Sequence, residues 1–419
     1  MTLQLPSSAT TIFLDQPPSC LQFHPSSPNH FLVGTYLLSE HKDASAASIQ
    51  QTKTGSLQLW HLNPATNELS LLQKYPLPYA VFDLHFHPTD PTLAAIATSA
   101  ASVVFFRITP PIEGASEGNR SFITELHTQS VHEDPSIPAL YLAWLPRNWP
   151  TSTSSDGNDD GFAVTFSDGK TTLFHHPSPS SSSSLSSSNI PITEGDSFPA
   201  NQEIEVWFVA AATYPPEGKA EAEASTPYLF TGNDFGSLHT RSFSPTDTES
   251  TCLLSHDDRA RHHTAGVTSI VPLPVPMTDG APWLLTGSYD EYLRVYHASR
   301  RGEVLGEVGL GGGVWRLQVL SSEGSSCGEE GEGTEWVFLV LASCMHAGTR
   351  VVRVRLVPGV RCDMEVLAEF TEHESMNYAS DVWKPKGGYD LQGRTEAEEV
   401  VCVSSSFYDR RVCVWRVNV

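Results

Sequence analysis

Four short stretches in the C-terminal half hold most of the side chains that could do chemistry. Residues 309–316 read GLGGGVWR, a run of glycines followed by Trp315 and Arg316. Residues 343–348 read SCMHAG and put His346 in a turn. Residues 373–381 read HESMNYASD, which brings His373, Ser375, Tyr378 and Asp381 close in sequence, and residues 406–409 read SFYD, with Ser406, Phe407, Tyr408 and Asp409. An imidazole can act as general base, a hydroxyl or thiol as nucleophile, and a guanidinium or backbone N–H as a clamp on a developing oxyanion. Cys344 sits two residues before His346 and is formally a thiol nucleophile. The glycine run does not follow the G-x-G-x-x-G spacing and no helix is expected after it. It therefore reads as a close backbone approach, not as a nucleotide cradle.

Two matches to G-x-S-x-G mislead, at 114–118 and 324–328. A nucleophile elbow needs a strand leading in and a helix leading out. Both matches lie in polar insertions with neither, and neither is a catalytic expectation.

The elements that must position these side chains are short strands. Residues 283–297, WLLTGSYDEYLRVYH, read as a strand, a polar turn and a second strand, with Asp290 at the turn and Tyr296 six residues later. Asp168 with Phe174, and Asp409 with Trp415, keep the same offset of six. Related hairpins lacking the full signature lie at residues 31–62 (aromatic Trp60), 93–108 (Phe106), 228–243 and 337–354, which makes seven copies. A strand-like segment precedes each, at 20–25, 81–88, 140–146, 205–211, 266–273, 313–320 and 379–385. Asp at a turn followed by a packing aromatic is the WD-repeat pattern, so the chain is expected to be an all-β, seven-bladed WD-repeat β-propeller. Residues 11–14, TIFL, follow no blade and are expected to close the ring as the outer strand of the last one.

A blade of this kind carries a structural network of its own, built from a His before the inner strand, a Ser or Thr, the turn Asp and the aromatic. His263, Asp290 and Tyr296 fit that role, and so do His373, Asp409 and Trp415. His346 fits it poorly, because it stands where other blades have Asp.

The 419 residues exceed what seven minimal blades need, at about 45 residues each. The surplus falls in polar insertions at 41–54, 111–120, 147–161, 177–188 (nearly pure Ser), 214–226, 321–335 and 384–399, within a single domain spanning 1–419. They are poor in apolar residues and are expected to be mobile and dispensable. The net charge of −23 argues against direct nucleic-acid or anionic-membrane partners; it reads either as a device for solubility or as the counterpart of a cationic partner or reactive group. The seven cysteines are scattered, with no C-x-x-C, so neither disulfide framework nor zinc site is expected. With no secretory leader and no long apolar run, the expected location is cytoplasmic.

The set TGSYDEYLRVY, LGGGVWRLQV, ASCMHAG, HESMNYASDVW and SSSFYDRRVCVWR resembles the diphthine methylesterase family of WD-repeat proteins. The likeness is dense from Tyr228 to Trp415 and thin before it. It implies a carboxylic ester hydrolase that cleaves the methyl ester of methylated diphthine on translation elongation factor 2, giving diphthine and methanol. No cofactor and no metal are implied, and a monomer is expected. The modified side chain bears a trimethylammonium, which aromatic faces and carboxylates favour. Trp315, Tyr378, Phe407 and Tyr408, with Asp290 or Asp409, are the expected binding residues. For the chemistry, His346 or His373 would be the base, Asp381 or Asp409 its orienting partner, and Arg316 or the glycine-loop N–H groups the oxyanion site. Ser406 or Ser375 is the nucleophile of a covalent variant. The competing expectation is a non-enzymatic scaffold or adaptor, as most WD-repeat propellers are.

Overall fold

The computed structural model describes residues 2–42, 49–111, 121–147, 149, 160–176, 192–215, 225–245, 251–326, 334–392 and 399–419. Among these there is no helix. The strands form seven antiparallel sheets, the seven blades of a β-propeller. The innermost strands of blades 1 to 7 are Pro18–Phe23, Val81–Phe86, Ala139–Trp144, Val206–Tyr214, Val267–Pro272, Arg316–Ser326 and Ala379–Val382.

Blade 5 shows how sequence makes a blade. Trp283–Ser288 is buried on both faces and pairs with Tyr292–His297 in the register Leu285↔Val295 and Thr286↔Arg294. A strand covered on both faces reads as a continuous apolar run instead of an alternation. The turn between them is held by Asp290, whose Oδ1 accepts from the Tyr292 N–H at 3.2 Å and whose neighbour Glu291 takes the left-handed φ of 75°.

The chain divides into two compact units. One comprises Met1–Leu5 and Leu140–Thr371, carrying blades 3 to 6; the other comprises Pro6–Ala139 and Glu372–Val419, carrying blades 7, 1 and 2. The core of the first is built around Phe230, Tyr296, Trp283 and Phe338. That of the second is built around Phe31, Phe86, Phe106 and Val414. In both units free edges of inner strands are capped by side chains of the preceding blade. Asp381 Oδ2 accepts from Phe23 N–H at 2.8 Å, Gln22 Oε1 from Phe86 N–H at 2.9 Å, and Ser269 Oγ from Leu317 N–H at 3.0 Å. An edge N–H left without a partner would be costly, and these contacts tie blade to blade instead.

The N-terminal strand completes blade 7, as the sequence suggests, but over Ser8–Phe13 in place of 11–14. Thr11 pairs with Cys413, and Leu14 is already turning into the core. Two of the expected insertions continue hairpins. Leu37–Lys42 pairs with 49–54, and 321–326 pairs with 334–339, because strand pairing needs no apolar core to extend. Of the other expected insertions, 112–120, 148, 150–159 and 216–224 fall outside the described residues, and the Ser-rich stretch 177–188 falls wholly outside. The stretch 384–399 is described except for 393–398 and is tied down where it is described: Lys384 and Leu391 are buried, Lys384 pairs with Asp381, and Gly388 N–H bonds to Pro25 O. So does the match at 114–118. Of the match at 324–328, Gly324 lies on the inner strand of blade 6, and Cys327 and Gly328 lie outside the described residues.

Candidate functional site

In the three-blade unit, the loop before the inner strand of blade 7 meets the turn at 406–409. Ser375 Oγ donates to Asp409 Oδ1 at 2.7 Å and lies 2.8 Å from Ser406 Oγ, while the N–H groups of Tyr408 and Glu374 are taken up by Ser375 Oγ and Asp409 Oδ2. Burial alone would raise the Asp409 carboxyl. Hydrogen bonds from the Ser406 and Ser375 hydroxyls and the Glu374 N–H hold it below the usual range instead. Arg411 adds a cation 3.5 Å away.

His373 belongs to a different network. Its Nε2 lies 2.8 Å from Ser404 Oγ, which also accepts from Trp415 Nε1 at 3.0 Å, and burial pushes the imidazole down to about 4. Blade 5 repeats this with His263 Nε2 at 2.9 Å from Thr286 Oγ1 and the imidazole pushed down to about 3 by burial. These are the His–hydroxyl pairs expected from the repeat, but the turn carboxylate expected with them bonds elsewhere: Asp409 to Ser375, and Asp290 to Arg294 and Thr264 N–H. A His–Ser pair buried this deeply offers no approach to a substrate. Asp381 stands apart again, its carboxylate shared between Phe23 N–H, Val382 N–H and a buried Lys384 at 2.6 Å.

Around the Ser375 turn runs a chain of rings. Tyr36 lies 5.5 Å from Phe82 and 5.9 Å from Phe407; Phe407 lies 5.4 Å from Tyr378 and 5.0 Å from Tyr408. Tyr408 is 68% exposed. Of the expected blade 7 residues, then, Ser406, Asp409, Tyr378, Phe407 and Tyr408 come together, joined by Ser375, and His373 and Asp381 do not.

The four-blade unit holds a second cluster. Trp315 lies 5.5 Å from Trp207 and 5.9 Å from Tyr289, and Trp207 lies 6.4 Å from Tyr289. Trp207 Nε1 donates to Asp234 Oδ1 at 2.7 Å, and no ion pair with Asp234 occurs among the described residues. The glycines stand where the sequence requires them. A Cβ on Gly312 would strike Cys344 O, and one on Gly313 would come within 2.7 Å of Met345 Sδ and 3.3 Å of Tyr289. The glycine loop is therefore pressed against the turn that displays His346, which is exposed. That turn is fixed by Ala347 N–H to Cys344 O at 2.8 Å and by Arg350 Nη1 to Ala347 O at 2.7 Å. Asp290 is turned inward, onto Arg294 at 2.8 Å and Thr264 N–H at 2.9 Å, so its carboxylate serves the blade. Cys344 is fully buried and its thiol is pushed up to about 12, the opposite of what a nucleophile needs.

Arg316 lies across the rings of Trp315, Tyr141 and Phe208. Among the described residues no three His, Cys, Asp or Glu side chains gather as a metal site. Of the expected groups in this unit, Trp315, Arg316, the glycines and the turn of His346 share one end of the blades, and Asp290 is turned away from it.

Trp207, Tyr289, Asp234, Tyr36 and Phe82 are the residues that sequence reasoning missed. Tyr36, Asp234, Tyr289 and Phe407 occupy one blade position, the first after the second strand. Each N–H bonds at 2.9 Å to a carbonyl ahead of the inner strand, from Pro17, Glu205, Gly266 and Met376 respectively. The available signal was the repeated Val-Trp pair, Val206-Trp207 and Val314-Trp315, at the mouth of two inner strands.

No protein-family model matches the chain. It is 31% identical to the diphthine methyltransferase of Schizosaccharomyces pombe over 154 residues, 36% of this chain and 38% of that protein. It is 28% identical to the diphthine methyltransferase of Homo sapiens over 122 residues, 29% of this chain and 23% of that protein. The matches thus span less than two fifths of these relatives' length. Among solved structures, Sqt1 from Chaetomium thermophilum bound to the N-terminus of the ribosomal protein L10 is similar, with a TM-score of 0.53 at 14% identity over 98% of this chain and 100% of that one. A chain of the mitotic checkpoint complex gives a TM-score of 0.54 at 11% identity, covering 98% and 92%. At such identities the likeness carries the fold alone.

Proposed function

We propose that this chain is a carboxylic ester hydrolase of diphthamide biosynthesis, which removes the methyl ester of methylated diphthine on translation elongation factor 2. The similarity to two proteins named diphthine methyltransferase carries this reading. The second cluster is chemically suited to it. Three aromatic rings beside Asp234 suit a trimethylammonium, each ring contact contributing roughly 0.5–2 kcal/mol. His346 is the accessible imidazole among the expected bases. In the proposed reaction it takes a proton from water as the water adds to the ester carbonyl. The N–H groups of the glycine loop receive the oxyanion; on collapse His346 returns its proton to the departing methoxide oxygen, which leaves as methanol, and the acid formed ionises to the carboxylate. The rings of Tyr378, Phe407 and Tyr408 would serve the surrounding protein substrate.

The relatives' name favours a second reading, methyl transfer onto diphthine, which requires a methyl donor. One experiment separates them. The purified chain is incubated with elongation factor 2 carrying methylated diphthine, with and without donor, and the intact factor is weighed. Loss of one methylene with release of methanol is the expected result. A donor-dependent gain on unmethylated diphthine would favour transfer, and no change in either arm would leave a binding propeller. His346→Ala should lower kcat by about 100-fold or more; near-normal turnover would remove His346 from the mechanism.

A further inference from the structure

Arg316 connects the inner strands of four blades through one side chain. Its guanidinium carbon lies 4.8 Å from the ring centre of Tyr141 on blade 3, 5.4 Å from Phe208 on blade 4 and 4.6 Å from Trp315. Its Nη1 donates to Thr268 O on blade 5 at 2.9 Å and to Trp315 O at 3.0 Å. All of these partners are neutral. Arg107, Arg294, Arg353 and Arg361, by contrast, each hold a carboxylate within 3.3 Å. Among the described residues no carboxylate pairs with Arg316, and its Nε–H and Nη2–H carry no acceptor.

A half-buried guanidinium held only by ring faces and carbonyls keeps an uncompensated charge. Ring quadrupoles attract a cation but accept no in-plane hydrogen bond. The Nε–Nη2 edge presents two parallel N–H groups with the spacing of a carboxylate, the geometry of bidentate pairing. The rings and carbonyls already fix the plane, so little side-chain freedom remains to be lost on binding.

We propose that Arg316 is a receptor for a carboxylate, taken edge-on by Nε–H and Nη2–H between the rings of Tyr141, Phe208 and Trp315. The receptor is independent of ester hydrolysis: a chain that releases no methanol would still bind the anion.

The test uses the full chain with arginine side chains labelled for NMR, the Arg316 Nε–H signal being assigned by its loss in Arg316→Lys. Acetate is titrated at constant ionic strength, beside methyl acetate as the neutral isostere and inorganic phosphate as a tetrahedral anion. Acetate should shift the Arg316 signal saturably, methyl acetate should not, and phosphate should bind about tenfold or more weakly, 1.4 kcal/mol. Calorimetry should find acetate binding to Arg316→Lys, which keeps the charge but loses the fork, weakened by about tenfold or more. Absence of a saturable shift, an equal response to methyl acetate, equal affinity for phosphate, or unchanged binding by Arg316→Lys would each overturn the assignment. A lowered melting temperature of Arg316→Lys together with a flat wild-type titration would make the side chain a staple between strands and nothing more.

Discussion

His373, which looks catalytic in the sequence, and its structural counterpart His263 are both held neutral by the fold, and this has a consequence for stability. His373 and His263, ordinarily near 6.5, are pushed by burial to about 4 and about 3. Below pH 6.5 the unfolded chain takes up protons that the folded chain refuses, so both groups support the fold fully above that pH and progressively less as the pH falls toward 4. Asp258 acts with the opposite sign. Burial pushes its carboxyl up to about 6, so its contribution weakens as the pH rises from about 4 to 6. With His24 and His239 also pushed down to about 4, the histidines outnumber it. The melting temperature should therefore rise from pH 4 to 6.5. His373→Gln should flatten that slope while lowering stability at pH 7.5 by about 1–3 kcal/mol, because Ser404 loses its buried partner. An unchanged slope would mean that His373 titrates normally in the folded chain.

At the scale of elements, the register of the N-terminal strand decides which proline does harm. Leu14 N–H bonds to Arg410 O at 2.8 Å, and in an antiparallel pair the bonded positions alternate. Thr10, opposite Val414, is then a bonded position, whereas Thr11, opposite Cys413, points its N–H away from the partner. Thr10→Pro should cost about 1–3 kcal/mol in urea unfolding and Thr11→Pro clearly less, since proline is tolerated where an edge N–H faces outward. Equal losses would show that the strand end frays as a whole. The inner and middle strands were legible because a buried strand must be apolar. The outermost strands were not. Cys252–Asp257 is exposed or half-exposed throughout, and Glu68–Leu77 is so at every residue but Leu77, so burial imposes on neither the continuous apolar run of a middle strand. The site was legible at the same uneven depth. Trp315 declared itself beside its glycines, whereas Trp207 in EVWFVAA reads as one more core aromatic until the register places it at the mouth of its strand.

For the whole molecule, the fold is shared with proteins at 11–14% identity that bind unrelated partners, so recognition has to come from loop residues and from charge. The net charge of −23 generates a field that reaches well past any single contact. The aromatic clusters act only at van der Waals distance. These two contributions separate with salt. The Debye length shrinks to about 8 Å at physiological ionic strength, which screens the long-range field and leaves ring contacts nearly untouched. If the proposed protein substrate is drawn in by charge, kcat/KM should fall steeply as salt is raised while kcat stays level, because steering acts on encounter and not on the bound complex. The measurement is turnover of the methylated factor across a salt series, with Tyr408→Ala as the contrast. That variant should raise KM by a similar factor at every salt concentration, since its ring offers area and no charge. A kcat/KM insensitive to salt would assign substrate capture to the aromatic rims and reduce the acidic surface to a role in solubility.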